Sequence, residues 1–304
     1  MRLVFLGTPD FAVPSLEQTV SAGHEVAAVF TQPDRPKGRG QQLQSPPVKL
    51  AALRLGLSVQ QPERVGRPEV VEQLRHLAPE AMVAVGYGQI LPPAILGIPP
   101  MGVVNVHASL LPKYRGAAPV QWAIARGERL TGVTIMRLDA GLDTGPILLK
   151  WETEIGEKET AVELSARLAR AGAGVLARAL ADLPRLRAEP QDNSQATYAP
   201  ILKKEDGHID WSRSAREILN RIRGFQPWPG CYAFLRGRRL HVWKAQAADR
   251  IVEPRHLSAR ERRLYAGCAD GAVELLEVQW EGKKRMEAAA FLNGFPMEAD
   301  EELA

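Results

Sequence analysis

The fold is decided by residues 101–112, which read Met-Gly-Val-Val-Asn-Val-His-Ala-Ser-Leu-Leu-Pro. The apolar residues before Asn105 are typical of a buried parallel strand near its end, and Pro112 prevents the strand from simply continuing. Asn105 and His107 lie two positions apart, so at a strand end their side chains leave the same face. We therefore expect an amide and an imidazole together at the carboxyl edge of a sheet, where open α/β folds bind their ligands.

A carboxylate is expected to join them. Asp143 lies in Gly141-Leu142-Asp143-Thr144-Gly145, and an amide, an imidazole and a carboxylate suit acyl transfer: the amide donates to an oxyanion, the imidazole handles protons and the carboxylate orients the imidazole. Each residue also has an ordinary alternative. Asn105 could cap a turn, His107 could be a satisfied core histidine, and Asp143 could be a turn carboxylate. Their combination predicts a catalytic site.

Around these residues, strand and helix signals alternate along the first half of the chain. Short apolar runs predict strands, and apolar residues at helical spacing predict the helices between them. The predicted strands are residues 3–6, 25–30, 81–85, 103–106, 131–138 and 147–151, and the predicted helices are residues 11–21, 48–55, 70–77 and 160–183. This rhythm predicts an α/β fold with an N-terminal, doubly wound, mostly parallel, Rossmann-like sheet.

The pattern changes after residue 184. Residues 185–205 are polar and without periodicity, which is typical of a linker. One short helix at 214–223 follows, and then strands at 231–235, 239–244 and 272–280. Short strands with few helices predict a smaller C-terminal β-barrel, OB-like, although composition does not separate it from other small β folds. The predicted organisation is a catalytic domain at 1–184, a linker at 185–205 and a barrel domain at 206–304.

The charge, the cysteine count and the absence of several known motifs limit the class of protein. The formal charge of +4 permits nucleic-acid binding without demonstrating it. Cys231 and Cys268 are too few for a disulfide framework, no apolar run approaches the roughly 18 residues of a membrane span, and the chain opens directly on a strand, so we expect a cytoplasmic protein with no membrane association. The spacing of Cys and His predicts no metal site. Gly7-Thr8-Pro9 lacks the glycine pattern of a dinucleotide loop, which argues against a nicotinamide enzyme.

Several motifs resemble those of the formyltetrahydrofolate-dependent formyltransferases. They are Phe5-Leu6-Gly7-Thr8-Pro9-Asp10-Phe11, Gln32-Pro33-Asp34-Arg35-Pro36, residues 105–112, Arg115-Gly116-Ala117-Ala118-Pro119, residues 141–145, Ile209-Asp210-Trp211-Ser212 and Phe225-Gln226-Pro227-Trp228-Pro229-Gly230. The resemblance thus covers nearly the whole chain. It implies that Asn105, His107 and Asp143 are catalytic, that 10-formyltetrahydrofolate is the co-substrate, and that the protein is a monomer.

The resemblance also implies two walls of the folate site. One is the segment of Ser109, Leu110, Leu111 and Pro112. The other is the segment of Tyr87, Gly88, Gln89, Ile90 and Leu91, whose neighbouring glycines allow backbone groups to approach a pterin ring. The alternative for this second segment is a tight turn from a buried strand into a short helix.

Within the family, the resemblance extends to enzymes whose acceptor is methionine esterified to initiator tRNA, the substrate of translation initiation. Residues 34–49 form a basic loop with Arg35, Lys37 and Arg39, similar to the insertion that enters the tRNA acceptor stem in such enzymes. In the second domain, Lys203 and Lys204 precede a patch of basic and aromatic residues that suits RNA. The alternative for the loop is an ordinary solvated surface.

Three other functions share part of this pattern. A formyltransferase acting on a small-molecule amine, or a formyl-folate hydrolase, would share the Asn, His and Asp but would need neither the basic loop nor the basic second domain. An RNA-binding module with an inert catalytic-looking domain would not need the intact Asn105, His107 and Asp143. The sequence therefore favours formyl transfer to methionyl-tRNA.

Overall fold

A computed structural model describes residues 1–37, 42–297 and 301–304. The chain divides into two compact units that interleave along the sequence. The first consists of Met1–Gly116, Leu130–Glu154 and Ser165–Tyr198, and the second of Ala117–Arg129, Ile155–Leu164 and Ala199–Ala304. The first unit therefore extends beyond residue 184, the predicted end of the catalytic domain, and takes in much of the segment predicted to be a linker.

Strands and helices are numbered in chain order. The strands are β1 (Arg2–Gly7), β2 (Glu25–Phe30), β3 (Arg35–Lys37), β4 (Gln42–Gln44), β5 (Val59–Gln60), β6 (Ala81–Val85), β7 (Val103–His107), β8 (Arg115–Gly116), β9 (Leu130–Arg137), β10 (Ile147–Glu154), β11 (Tyr198–Ala199), β12 (Cys231–Leu235), β13 (Arg238–Ala248), β14 (His256–Arg260), β15 (Arg263–Cys268), β16 (Gly271–Trp280), β17 (Met286–Glu287) and β18 (Glu301–Glu302). The helices are α1 (Val13–Ser21), α2 (Pro47–Arg54), α3 (Pro68–His76), α4 (Pro93–Leu96), α5 (Pro119–Ala125), α6 (Ala161–Ala181), α7 (Ala215–Gly224) and α8 (Ala288–Gly294).

The first unit is built on a seven-stranded sheet in the order β10-β9-β7-β6-β1-β2-β5. The five strands from β7 to β5 are parallel. At the other edge β9 is antiparallel to both of its neighbours, β7 and β10. All five residues of β6 are buried, as expected for a parallel strand covered on both faces. The predicted doubly wound, mostly parallel sheet is confirmed. Since β1 lies between β2 and β6, the strand order reverses here, and ligands bind at such a switch point.

Helix α6 packs closely on this sheet. A Cβ placed on Gly172 would lie 3.0 Å from Val106 on β7 and 3.3 Å from Val133 on β9. A glycine at this position therefore lets the helix backbone approach the strand that carries Asn105 and His107. In the described part of the chain, no helix combines the length and the apolar character needed to cross a membrane.

The second unit contains an antiparallel sheet in the order β12-β13-β16-β15-β14-β18. It closes on itself because Leu235 of β12 pairs with Leu303, and Phe234 and Ala304 exchange backbone hydrogen bonds of 2.6 and 2.8 Å. The predicted OB-like barrel is confirmed. Its interior is apolar and includes Leu235 and other fully buried residues, namely Phe225, Leu257, Leu264, Val273 and Val278.

Candidate active site

Strand β7 places two of the predicted catalytic side chains at the carboxyl edge of the sheet. It pairs with β6, where Asn105 lies opposite Ala84, and with β9, where Asn105 lies opposite Met136. His107, the last residue of β7, is buried, while Asn105 is half-buried. Among the described residues nothing forms a hydrogen bond with the Asn105 side chain, so its amide can donate to a substrate.

The two nitrogens of His107 have different surroundings. Nε2 lies 2.9 Å from the carbonyl oxygen of Tyr114, and Nδ1 lies 3.7 Å from Oδ2 of Asp143. Because a carbonyl oxygen only accepts hydrogen bonds, Nε2 carries a proton and donates it. The Tyr114 carbonyl therefore fixes the tautomer of the imidazole, and leaves Nδ1 as the nitrogen without a proton on the neutral ring.

Asp143 is held in an unusual backbone conformation. Its φ of 51° lies in the left-handed region, and its Oδ2 accepts a 2.8 Å hydrogen bond from the amide of Gly116. The loop then lies against β9, because a Cβ on Gly145 would be 1.9 Å from the carbonyl oxygen of Arg137. The structure thus brings together the predicted pair His107 and Asp143, from positions 36 residues apart in the printed sequence.

The first predicted folate wall is a rigid segment. The Ser109 hydroxyl donates to the carbonyl of Lys113 at 2.5 Å, so it is already engaged. Thr134 on β9 donates to the Ser109 carbonyl at 2.7 Å and accepts from the amide of Leu111 at 3.0 Å. Leu111 is fully buried, whereas Leu110 and Pro112 are only half-buried. Leu110 and Pro112 therefore have the side chains of this segment most able to contact a ligand.

The second predicted wall divides into inward and outward residues. The side chains of Tyr87 and Leu91 belong to the core of the first unit, and burial raises the pKa of the Tyr87 phenol. Gln89 accepts a hydrogen bond from the amide of Val65 at 2.7 Å and donates to the carbonyl of Pro62 at 3.1 Å. By contrast, Gly88 is exposed with a φ of 84°, and Ile90 is 90% exposed. This segment therefore offers a ligand its glycine backbone and the Ile90 side chain.

The basic loop begins as a hairpin. Strands β3 and β4 pair antiparallel, and the exposed Arg35 forms a 2.7 Å ion pair with Glu63. Lys37 belongs to β3, and the predicted contact residue Arg39 lies outside the described residues.

Asp34 ties the two ends of this loop together. Its carboxylate accepts hydrogen bonds from Lys49 at 2.7 Å, from Gln61 at 2.8 Å and from Ser45 at 3.2 Å. These hydrogen bonds, that of Lys49 above all, hold the pKa of the Asp34 carboxyl below its usual range. The base of the hairpin is therefore anchored by a charged aspartate.

The basic residues of the second unit are used in two ways. Lys203 and Lys204 are exposed, and Arg239 lies 4.3 Å above the ring of Tyr232. Arg223, in contrast, donates to the main-chain carbonyls of Gly156 and Glu159, so its side chain stabilises the folded chain. Tyr232, His241 and Trp243 form a row of rings with successive centroids 5.7 and 5.8 Å apart.

Sequence reasoning missed the groups that orient His107 and Asp143. The Tyr114 carbonyl and the Gly116 amide belong to the backbone, which carries no signal of residue type. Thr197 was assigned to the linker, yet its hydroxyl accepts from the amide of Tyr114 and its carbonyl accepts from the amide of Arg115, both at 2.9 Å. Over the residues that the structure describes, there is no group of three or more His, Cys, Asp or Glu arranged to hold a metal ion.

Comparisons with known proteins agree with this architecture. Residues 1–180 match the formyl transferase family model, and residues 201–296 match the formyl transferase C-terminal domain. The methionyl-tRNA formyltransferase of Solibacter usitatus is 58% identical over 100% of this chain and 98% of its own length. That of Koribacter versatilis is 54% identical over 99% and 98%.

The fold also occurs in a distant solved structure, HypX from Aquifex aeolicus in complex with tetrahydrofolic acid. It is 15% identical, with a TM-score of 0.64 over 99% of this chain and 50% of that one. The two family models span most of the chain, and the sequence relatives match it over nearly their full length. This chain therefore belongs to the methionyl-tRNA formyltransferase family.

Proposed function

We propose that this protein transfers the formyl group of 10-formyltetrahydrofolate to the free α-amine of methionyl initiator tRNA, and that Asn105, His107 and Asp143 carry the chemistry. The observation that supports this assignment most is the arrangement at the end of β7. An unengaged amide lies two residues from a buried imidazole, and Nδ1 of that imidazole faces a carboxylate at 3.7 Å.

The reaction needs an oxyanion donor and a proton carrier. The folate co-substrate supplies the formyl carbon, to which the methionyl nitrogen forms a bond while the bond from that carbon to N10 breaks. Negative charge develops on the formyl oxygen during attack, and the Asn105 amide is placed to donate to it. The amine loses a proton and N10 gains one, so a group that both accepts and returns a proton is required.

His107 is the group suited to that proton. Its Nε2 is committed to the Tyr114 carbonyl, so exchange takes place at Nδ1. The Asp143 carboxylate stabilises positive charge on the imidazole after Nδ1 accepts a proton. Asp143 thus acts as the charge partner of His107, while the Tyr114 carbonyl fixes its tautomer.

Two segments are proposed to hold the folate. The exposed backbone at Gly88 and the side chain of Ile90 would contact the pterin on one side. Leu110 and Pro112 would contact it on the other. Both segments are fixed by internal hydrogen bonds, which suits a preformed ligand site.

The tRNA is proposed to bind through Arg35, Lys37 and Arg39 of the basic loop and through Lys203 and Lys204. Positive side chains at these places would attract phosphates. The 58% identity with a methionyl-tRNA formyltransferase favours a tRNA acceptor over a small amine or water. We place the reaction in the cytoplasm, where translation supplies aminoacyl-tRNA, and assign it to a monomer.

The test is formyl transfer by the wild type, by Asn105→Ala and by Asn293→Ala, an exposed asparagine that serves as the matched control. Each is assayed with methionyl initiator tRNA, with a small amine and with no acceptor. We expect transfer to the tRNA alone, a fall of about 10²–10³ in the rate for Asn105→Ala, and no change for the control. Undiminished turnover by Asn105→Ala would refute the site. Formate release without an acceptor would instead indicate a hydrolase.

A further inference from the structure

A buried arginine beside the active site is held by neutral acceptors. Arg115 is 2% exposed. Its Nε and Nη2 donate to Oε1 of Gln191 at 3.1 and 2.6 Å, and Nη2 also donates to Oδ1 of Asn193 at 2.8 Å. Among the described residues no carboxylate pairs with this guanidinium. Burying a charge that has no opposite charge beside it is costly. We therefore expect the Arg115 guanidinium to have a role that it can perform while bound to the neutral acceptors Gln191 and Asn193.

Gln191 links that arginine to the catalytic loop. Its Nε2 donates to the carbonyl oxygen of Asp143 at 2.8 Å and to that of Gly145 at 2.7 Å. Since Arg115 holds Oε1, the amide can adopt only one orientation: the reverse would place Oε1 against two carbonyls and the NH₂ group against a guanidinium. Arg115 thus directs both Gln191 donors to the backbone around Asp143.

This backbone needs support. A non-glycine residue at the φ of Asp143, 51°, costs on the order of 1–2 kcal/mol and persists only where surrounding contacts hold it. Gln191 holds the main chain of Asp143, and the Gly116 amide holds its carboxylate. These contacts set the position of Oδ2 relative to Nδ1 of His107.

We propose that Gln191, oriented by Arg115, is a positioning residue that keeps Asp143 in the geometry required for catalysis. This inference rests on the proposed function. Without the two Gln191 donors, the loop would relax from its strained conformation and the carboxylate would move away from His107. A displacement of about 1 Å at a catalytic group can cost about 10²-fold in rate.

The variant that tests this is Gln191→Glu. A carboxylate still accepts from Arg115, and its charge gives the guanidinium an ion-pair partner, while its second oxygen faces the carbonyls of Asp143 and Gly145 in place of the two donors. It cannot donate to the carbonyls of Asp143 and Gly145. The matched control is Gln195→Glu in the same segment, because Gln195 is exposed and, within the described part of the chain, its side chain hydrogen-bonds to the exposed Asp192 alone.

We expect Gln191→Glu to lower kcat by about 10²-fold while KM for the tRNA and for the folate stays unchanged, and Gln195→Glu to match the wild type. A merely structural role would lower the melting temperature and the active fraction instead of kcat per folded molecule. Should Gln191→Glu fail to fold, Arg115→Lys is assayed in its place, because lysine keeps the buried positive charge but lacks the guanidinium fork that orients the Gln191 amide.

Equal kcat for the Gln191 variant and its control would overturn the positioning role. That outcome is distinct from failure of the proposed function, which the Asn105→Ala assay reports independently. If Asn105→Ala is inactive and Gln191→Glu is fully active, only the role of Gln191 is wrong.

Discussion

Nδ1 of His107 faces Oδ2 of Asp143 at 3.7 Å, while the opposite ring nitrogen donates to a backbone carbonyl. The backbone carbonyl and the carboxylate therefore affect the imidazole in different ways. The backbone carbonyl sets the tautomer, and the carboxylate is left to balance charge. In the proposed mechanism the carboxylate therefore contributes through its charge more than through a hydrogen bond.

Asp143→Asn removes that charge and keeps the size of the side chain. The amide oxygen can still accept from Gly116, so the loop should hold. Because proton transfer by a positioned group contributes about 10²–10⁴-fold, we expect kcat to fall within that range while both KM values stay similar. Steady-state formylation of methionyl-tRNA measures this. The control is Asp182→Asn, an exposed aspartate near Arg185, and wild-type kcat in Asp143→Asn would contradict the charge role.

Gly145→Ala should disrupt the catalytic loop, because the new methyl group would lie 1.9 Å from the carbonyl oxygen of Arg137. We expect a loss of about 1–3 kcal/mol in the free energy of unfolding, together with reduced activity. The matched control is Gly174→Ala at an exposed position in the middle of α6, where the added group would meet no described atom within 4 Å apart from its chain neighbours and the backbone of its own helix.

Helix propensity predicts a gain of about 0.5–1 kcal/mol for that control. Urea unfolding of both variants gives the comparison. Equal stability of Gly145→Ala and the wild type would show that the loop can shift away from β9.

Arg35→Ala tests the basic loop. An exposed ion pair such as that with Glu63 is worth only about 0–1 kcal/mol, so Arg35 can exchange Glu63 for a phosphate at little cost. We expect the slope of log affinity for tRNA against log salt concentration to decrease in magnitude by about 0.7–0.9. Filter binding over a salt series measures it. Arg67→Ala, another exposed arginine near an acid, should leave the slope unchanged, and an unchanged slope in Arg35→Ala would argue against phosphate contact.

Asp34→Asn tests the anchor of the hairpin through pH. Since folding lowers the pKa of Asp34 from its ordinary value of 3.8, its charge stabilises the folded state above that value, and this contribution is lost as pH falls through the lowered pKa. We expect the variant to be less stable than the wild type at pH 7 and equally stable at a pH well below 3.8. Unfolding by urea at both pH values measures this. Lys49→Met, which removes the largest cause of the shift, should reduce the same pH dependence.

The parallel core was predictable because its strands are continuous apolar runs. Residues 81–85 and 103–106 were predicted as strands nearly within their observed limits. The reversed direction of β9, which makes both of its pairings antiparallel, was not predicted, since apolar alternation is the same in either direction. Strands β14 and β15 were missed because Glu261 and Arg262 form their turn with positive φ, where glycine or asparagine would have marked a hairpin.

The proximity of His107 and Asp143 was predictable from residue type and spacing, but the contacts that hold these two residues were not. Gln191 and Thr197 bond to main-chain groups and bury little apolar surface, so they leave no periodicity in the sequence. A segment stabilised in this way has the composition of a linker even where it is ordered against the site.

The extension of the first unit to Tyr198 changes where the protein can be cut. A catalytic fragment that stops at residue 184 would lack Gln191 and Thr197, and a chimera joined there would combine the loops of one parent with the supporting segment of another. Exchange of C-terminal domains between relatives should therefore use a junction after Tyr198, which keeps Gln191 and Thr197 with the segments they contact. Residues 117–129 and 155–164 belong to the same unit as the C-terminal segment and should be exchanged together with it.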